Sequence, residues 1–109
     1  MTKFINLHTH KFSNLSDVIE IVNQYPWEFN ASIPNYSIGI HPWYIDENRL
    51  ESDLEIIKEK LQLNECLALG ECGLDKRIEI PLDLQISVFK KQLEIVKQTN
   101  KPIVLHCVA

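Results

Sequence analysis

Cys66-Leu67-Ala68-Leu69, followed at once by Gly70-Glu71, is the stretch on which the fold turns. Four apolar residues in a row, with no polar alternation, describe a strand covered on both faces, as in a parallel sheet. Similar runs lie on either side: Phe4-Ile5-Asn6-Leu7 and Tyr36-Ser37-Ile38-Gly39-Ile40 upstream, Ile103-Val104-Leu105 downstream. Helical patterns fill the gaps. Asp17 and Glu20 form a capping box ahead of Val18, Ile21, Val22 and Tyr25, which predicts a first helix ended by Pro26. Leu50, Leu54, Ile57 and Leu61 predict a second, with Asp46 or Glu47 near its start, Asn64 near its end, and Glu51, Asp53, Glu55, Lys58, Glu59 and Lys60 as its solvated face. Ile86, Phe89, Leu93 and Val96 predict a third, opened near Pro81 and stopped at Asn100 before Lys101-Pro102. The segment from Trp27 to Asn35 reads as either a short strand or an irregular loop. Strand and helix in alternation give βαβ units and an α/β fold.

Composition bounds the function. In 109 residues, 11 basic and 15 acidic side chains leave a net charge of -4, and 45% of the residues are hydrophobic. That is one globular unit without the basic face that non-specific binding to DNA or to an anionic membrane requires. No apolar run approaches the roughly 18 residues of a membrane span, and residues 1–7 lack the apolar core of a signal peptide. Three scattered cysteines, Cys66, Cys72 and Cys107, fit a reducing cytoplasmic setting.

The ionisable residues fall at regular places. His8 and His10 follow the first run, His41 the second, Glu71 the third and His106 the fourth, with intervals of 33, 30 and 35 residues from His8. Each interval is about one βα unit, and parallel strands open their carboxyl ends onto one crevice. His8 and His10, two apart on extended backbone, point the same way. Imidazoles with a carboxylate suit Zn²⁺, Mn²⁺ or Fe²⁺ rather than Ca²⁺, and Glu71 has two oxygens with which to bridge two ions. Metal-assisted hydrolysis is the chemistry implied. An HxH pair alone is weak evidence; its agreement with Glu71 and His106 gives it weight. His41-Pro42-Trp43 is either a loop turn with Trp43 in the core or a substrate-facing element. Cys72 and Cys107, each beside a proposed ligand, point to the opposite face and read as buried thiols.

Four segments, Asn6-Leu7-His8-Thr9-His10, Ser37-Ile38-Gly39-Ile40-His41-Pro42-Trp43, Leu69-Gly70-Glu71-Cys72-Gly73-Leu74-Asp75 and Pro102-Ile103-Val104-Leu105-His106-Cys107, together resemble the TatD-like metal-dependent deoxyribonucleases. Gln85, Phe89, Gln92 and Leu93 match that family's helix after its Glu motif. The resemblance implies a partial, half TIM-type β/α barrel with parallel strands, and a 109-residue chain that is the N-terminal part of a domain truncated at its C-terminus. It implies two divalent metal ions, Mg²⁺, Mn²⁺ or Zn²⁺, with His8 and His10 on the first, Glu71 bridging and His106 on the second. His41 and Asp75 would line the substrate or orient the ligands. Hydrolysis of phosphodiesters in DNA from the 3′ end is the implied activity. The aspartate that serves that family as general base has no counterpart here, and the interval from His10 to His41 is shorter than is common by about one βα unit. A polymerase-and-histidinol-phosphatase-like phosphoesterase is the second reading, from His8-Thr9-His10 followed by Ser13. The third is a non-catalytic metal-binding half-barrel that self-associates through its exposed edge.

Overall fold

The computed structural model describes the backbone of residues 4–9 and 18–108, and the side-chain surroundings of residues 20–108. Its elements are β1 (Phe4–Thr9), β2 (Val18–Gln24), β3 (Tyr36–Ile38), α1 (Leu50–Lys60), β4 (Cys66–Asp75), α2 (Leu82–Val96) and β5 (Ile103–Val108), with 3-10 turns at Pro26–Glu28 and Pro42–Tyr44. All neighbouring strands pair in parallel, in the order β1-β2-β3-β4-β5. Parallel strands laid down in chain order, with no reversal, wind as in a β/α barrel; a doubly wound sheet would reverse its order at a switch point. The α/β class and the half-barrel architecture are therefore present.

One predicted element is different in kind. Val18–Gln24, expected to be a helix, is the strand β2, paired with β1 on one side and β3 on the other. Val18, Ile19, Ile21 and Val22 are β-branched, stiff at χ1 and at ease on a pleated surface, and two neighbouring strands hold the segment extended. The short interval between His10 and His41 thus contains a strand. After it, residues 25–35 form a loop around the first 3-10 turn, not a further strand.

The two remaining helices stand where periodicity placed them. Ile57 and Leu61 from α1 and its C-cap, and Val88 and Val96 from α2, close over Ile38, Cys66, Leu69 and Cys72 of the sheet and Ile40 just past β3. The buried face of α2 is Gln85, Val88, Gln92 and Val96, one residue away from the expected apolar stripe; Phe89 packs at its margin. Asp53, expected among the solvated charges of α1, is buried and paired with Arg49 Nε at 3.0 Å. No helix among the described residues is long and apolar enough to cross a membrane.

All three cysteines are free thiols. Cys66 and Cys72 are buried, and burial pushes their pKa values up to about 11 and about 12. Cys107, expected to be buried, is exposed, because β5 is the edge strand and its outer face carries no helix among the described residues. Native protein should therefore react with a thiol reagent at one cysteine, and at three in denaturant. Because the unfolded thiols ionise near pH 8.5 and the folded ones do not, stability should fall as pH rises above about 8.5. A urea midpoint unchanged between pH 8 and about 10 would contradict the burial.

Candidate metal centre

β4 positions the site. It is flanked by β3 and β5, and Glu71 lies in its second half with Asp75 at its end. His41 follows β3 and opens the Pro42–Tyr44 turn; His106 lies on β5 opposite Gly73. The strands run on past Glu71 and His106, so these residues sit within the sheet rather than at its last residues. Crowding makes this possible. A Cβ on Gly39 would stand 3.0 Å from Gly70 Cα, so two glycines bring the backbone before His41 against the backbone before Glu71.

Ligand-type atoms of His41, Glu71 and His106 come within 4.8 Å of one another, the one such group found among the described residues. Glu71 is central: Oε1 lies 3.5 Å from His41 Nε2 and Oε2 lies 3.3 Å from His106 Nδ1. The two imidazole rings are 4.4 Å apart. His41, which sequence pattern left as a flanking residue, is thus as near to Glu71 as His106 is. His8 lies on β1, its side chain outside the described residues, and His10 lies outside them altogether.

Hydrogen bonds assign the ring protons. His41 Nδ1 accepts from the Trp43 backbone N–H at 3.1 Å, so the neutral ring carries its proton on Nε2, facing Glu71. In His106 the order is reversed. Its Nε2 lies 3.1 Å from Asp75 Oδ2. Asp75 is fully buried and receives both the Nε and Nη2 of Arg77, the Arg77 backbone N–H and the Trp43 indole N–H. The Arg77 guanidinium first, and then the indole, hold the Asp75 carboxyl well below the usual carboxylate range. An ionised Asp75 takes an N–H from His106 Nε2, and in the neutral ring this turns the Nδ1 lone pair toward Glu71 Oε2 at 3.3 Å, where either a proton or a metal cation would sit between them. An imidazole nitrogen beside a carboxylate oxygen is a donor set that divalent transition metals take.

Side chains not singled out as site-builders hold this arrangement. Gln92 bridges the backbone of Ile40, accepting from its N–H at 2.8 Å and donating to its carbonyl at 3.3 Å. Gln85 does the same for Asp75, at 2.8 and 3.0 Å. Asn23 Oδ1 accepts from the Glu71 backbone N–H and from Ser37 Oγ. In the sequence the first two show as glutamines at spacing seven on an otherwise apolar helix face, at positions that also match the family's helix after its Glu motif.

A parallel sheet in chain order, with a histidine and carboxylate cluster toward the carboxyl half of its strands, is the framework on which metal centres of β/α barrels are built. The chain belongs to the TatD related DNase family, whose model matches residues 1–109. It is 33% identical over 94 residues to the uncharacterized metal-dependent hydrolase YabD of Bacillus subtilis, covering 84% of this chain and 34% of that protein. It is 35% identical over 71 residues to the 3'-5' ssDNA/RNA exonuclease TatD of Erwinia billingiae, covering 63% of this chain and 26% of that one. The crystal structure of YJJV, a TatD homolog from Escherichia coli, superposes with a TM-score of 0.77 at 24% identity, over 96% of this chain and 51% of that chain. The chain therefore spans between about a quarter and a third of the length of the curated relatives it matches and about half of the solved one.

Proposed function

We propose that residues 1–109 form the N-terminal part of a metal-dependent phosphodiesterase barrel that hydrolyses DNA from the 3′ end. The observation that carries this reading is the convergence of His41, Glu71 and His106, with His106 Nδ1 3.3 Å from Glu71 Oε2, in a family whose relatives are named metal-dependent hydrolase and 3'-5' ssDNA/RNA exonuclease. His8 and His10 would hold a first divalent ion, Glu71 would bridge, and His106 would hold the second. Bound ions supply Lewis acidity toward water and a phosphate oxygen. The protein's own part is orientation. Asp75 keeps the proton on His106 Nε2, and His41 presents an N–H beside Glu71 to a phosphate oxygen. With two divalent ions bound, four positive charges stand where the phosphate goes, so the net negative charge is no obstacle. Its three free thiols suit a reducing, cytoplasmic location.

Calorimetry with Mn²⁺ tests the ion assignment: replacing both His8 and His10 by alanine should weaken binding, and unchanged affinity would contradict it. Residues 1–109 by themselves, which hold no counterpart of the general-base aspartate, should release little or no nucleotide from 3′-labelled single-stranded DNA in Mn²⁺ or Mg²⁺; robust turnover that disappears in EDTA would show that these residues suffice for catalysis.

A second reading concerns assembly. Among the described residues β5 is an edge strand, and on it Leu105 is 58% and Ile103 37% exposed. An unpaired parallel edge with apolar side chains invites strand pairing, and a second copy of this chain fits it, since its β5 offers the same groups. Sedimentation should show concentration-dependent dimers that Leu105→Lys dissociates; a monomer at all concentrations would contradict it.

A further inference from the structure

Trp43 stands half in water beside the metal centre, 47% exposed, with Tyr44 next to it at 43%. Leaving an indole in solvent forgoes the stabilisation that burying it would bring. Yet this ring is held in place. Its Nε1–H donates to Asp75 Oδ2 at 2.8 Å, the same oxygen that receives His106 Nε2–H at 3.1 Å. The backbone beneath it is fixed as well: Trp43 N–H donates to His41 Nδ1, Tyr44 N–H to the His41 carbonyl at 3.0 Å, and Arg49 Nη2 to the Tyr44 carbonyl at 2.8 Å.

The indole centroid lies 4.9 Å from the His41 ring and 5.7 Å from the His106 ring. Those rings and Tyr44 meet it at 70°, 76° and 73°, so none of the three stacks on an indole face. An exposed, immobilised aromatic plane adjoining a phosphodiester centre has the properties of a base-stacking platform, and a ring already fixed loses little entropy when a base covers it. Away from the ions, a chain of net charge -4 offers a phosphate backbone little, so contacts to the bases add to affinity there.

We propose that the face of Trp43 stacks the nucleobase of the nucleotide whose phosphodiester lies at His41, Glu71 and His106. The inference rests on the phosphodiesterase reading above and adds a specificity determinant to it: the site takes phosphodiesters that carry a planar base, in preference to the same diester without one. The Asp75 carboxylate ties the position of the base to that of His106.

The test uses the whole chain in excess Mn²⁺, with an oligothymidylate and a strand of the same length made of abasic residues. Trp27 and Trp43 are the two tryptophans, so in the Trp27→Phe protein the emission is that of Trp43. Thymine strands should quench it and abasic strands should not. Trp43→Ala should weaken binding of the thymine strand roughly ten- to a hundredfold, the range of aromatic stacking on one base, and leave affinity for the abasic strand unchanged. A merely structural role, through the lost bond to Asp75, would weaken both strands alike and overturn the proposal. Failure of both strands to bind the unsubstituted protein would overturn the phosphodiesterase reading along with it.

Discussion

Glu71→Ala should lower the affinity for Mn²⁺ by roughly a hundredfold or more while leaving the apo protein folded. Replacing a group that only orients a ligand already costs about 10- to 100-fold in metal affinity, and Glu71 supplies the one carboxylate among the described residues in direct reach of both His41 and His106. The two imidazoles that remain after its loss bring no negative charge, and His41 presents an N–H in place of a lone pair. The side chain is partly exposed and lies outside the apolar core, so the urea midpoint should move by no more than about 1 kcal/mol in stability. Glu71→Gln separates charge from shape: it keeps the volume and loses the charge, and should weaken binding nearly as much. Calorimetric titration of the three proteins checks this, and equal affinities would remove Glu71 from the ion site.

Gly73→Ala should have the largest effect on stability. Gly73 sits at φ +142, a conformation that side chains rarely adopt, and a Cβ there would run into the carbonyl oxygen of His106. Strain of about 1–3 kcal/mol from the backbone adds to about 1–3 kcal/mol from the overlap, because neither strand of a paired ladder can yield alone. A total of about 3 kcal/mol or more is a large share of the roughly 5–15 kcal/mol of a whole domain. Gly73 pairs with His106 in the sheet, so the displaced strand carries a proposed ligand, and Mn²⁺ affinity should fall with stability. A urea midpoint within about 1 kcal/mol of the parent would show that β5 can give way at this point.

These two residues also show how far the sequence could be read. Glu71, His106 and the alternation of apolar runs with amphipathic segments were legible, because a strand buried on both faces and a helix with one dry face each leave a periodic trace. β2 was misread because Val18, Ile21 and Val22 fit a helical stripe as well as a strand, and Asp17 and Glu20 imitated a cap. What decided it was pairing with strands distant in sequence, which local pattern does not record. The face of α2 was offset for a related reason: Gln85 and Gln92 are buried because the backbone at Asp75 and Ile40 needs partners there. Asp53 is buried against Arg49, and Cys107 is exposed at an edge. The part of His41 depends on a backbone N–H two residues later, and that of Trp43 on a carboxylate 32 residues away. Neither bond could be found before the chain was folded.

Anomalous diffraction from crystals grown with Mn²⁺ decides whether Glu71 and His106 hold an ion. A manganese peak bonded to the Glu71 carboxylate and His106 Nδ1 is expected, with His106 Nε2 still on Asp75. Manganese bound elsewhere, with Glu71 and His106 in contact only with each other and with water, would contradict it.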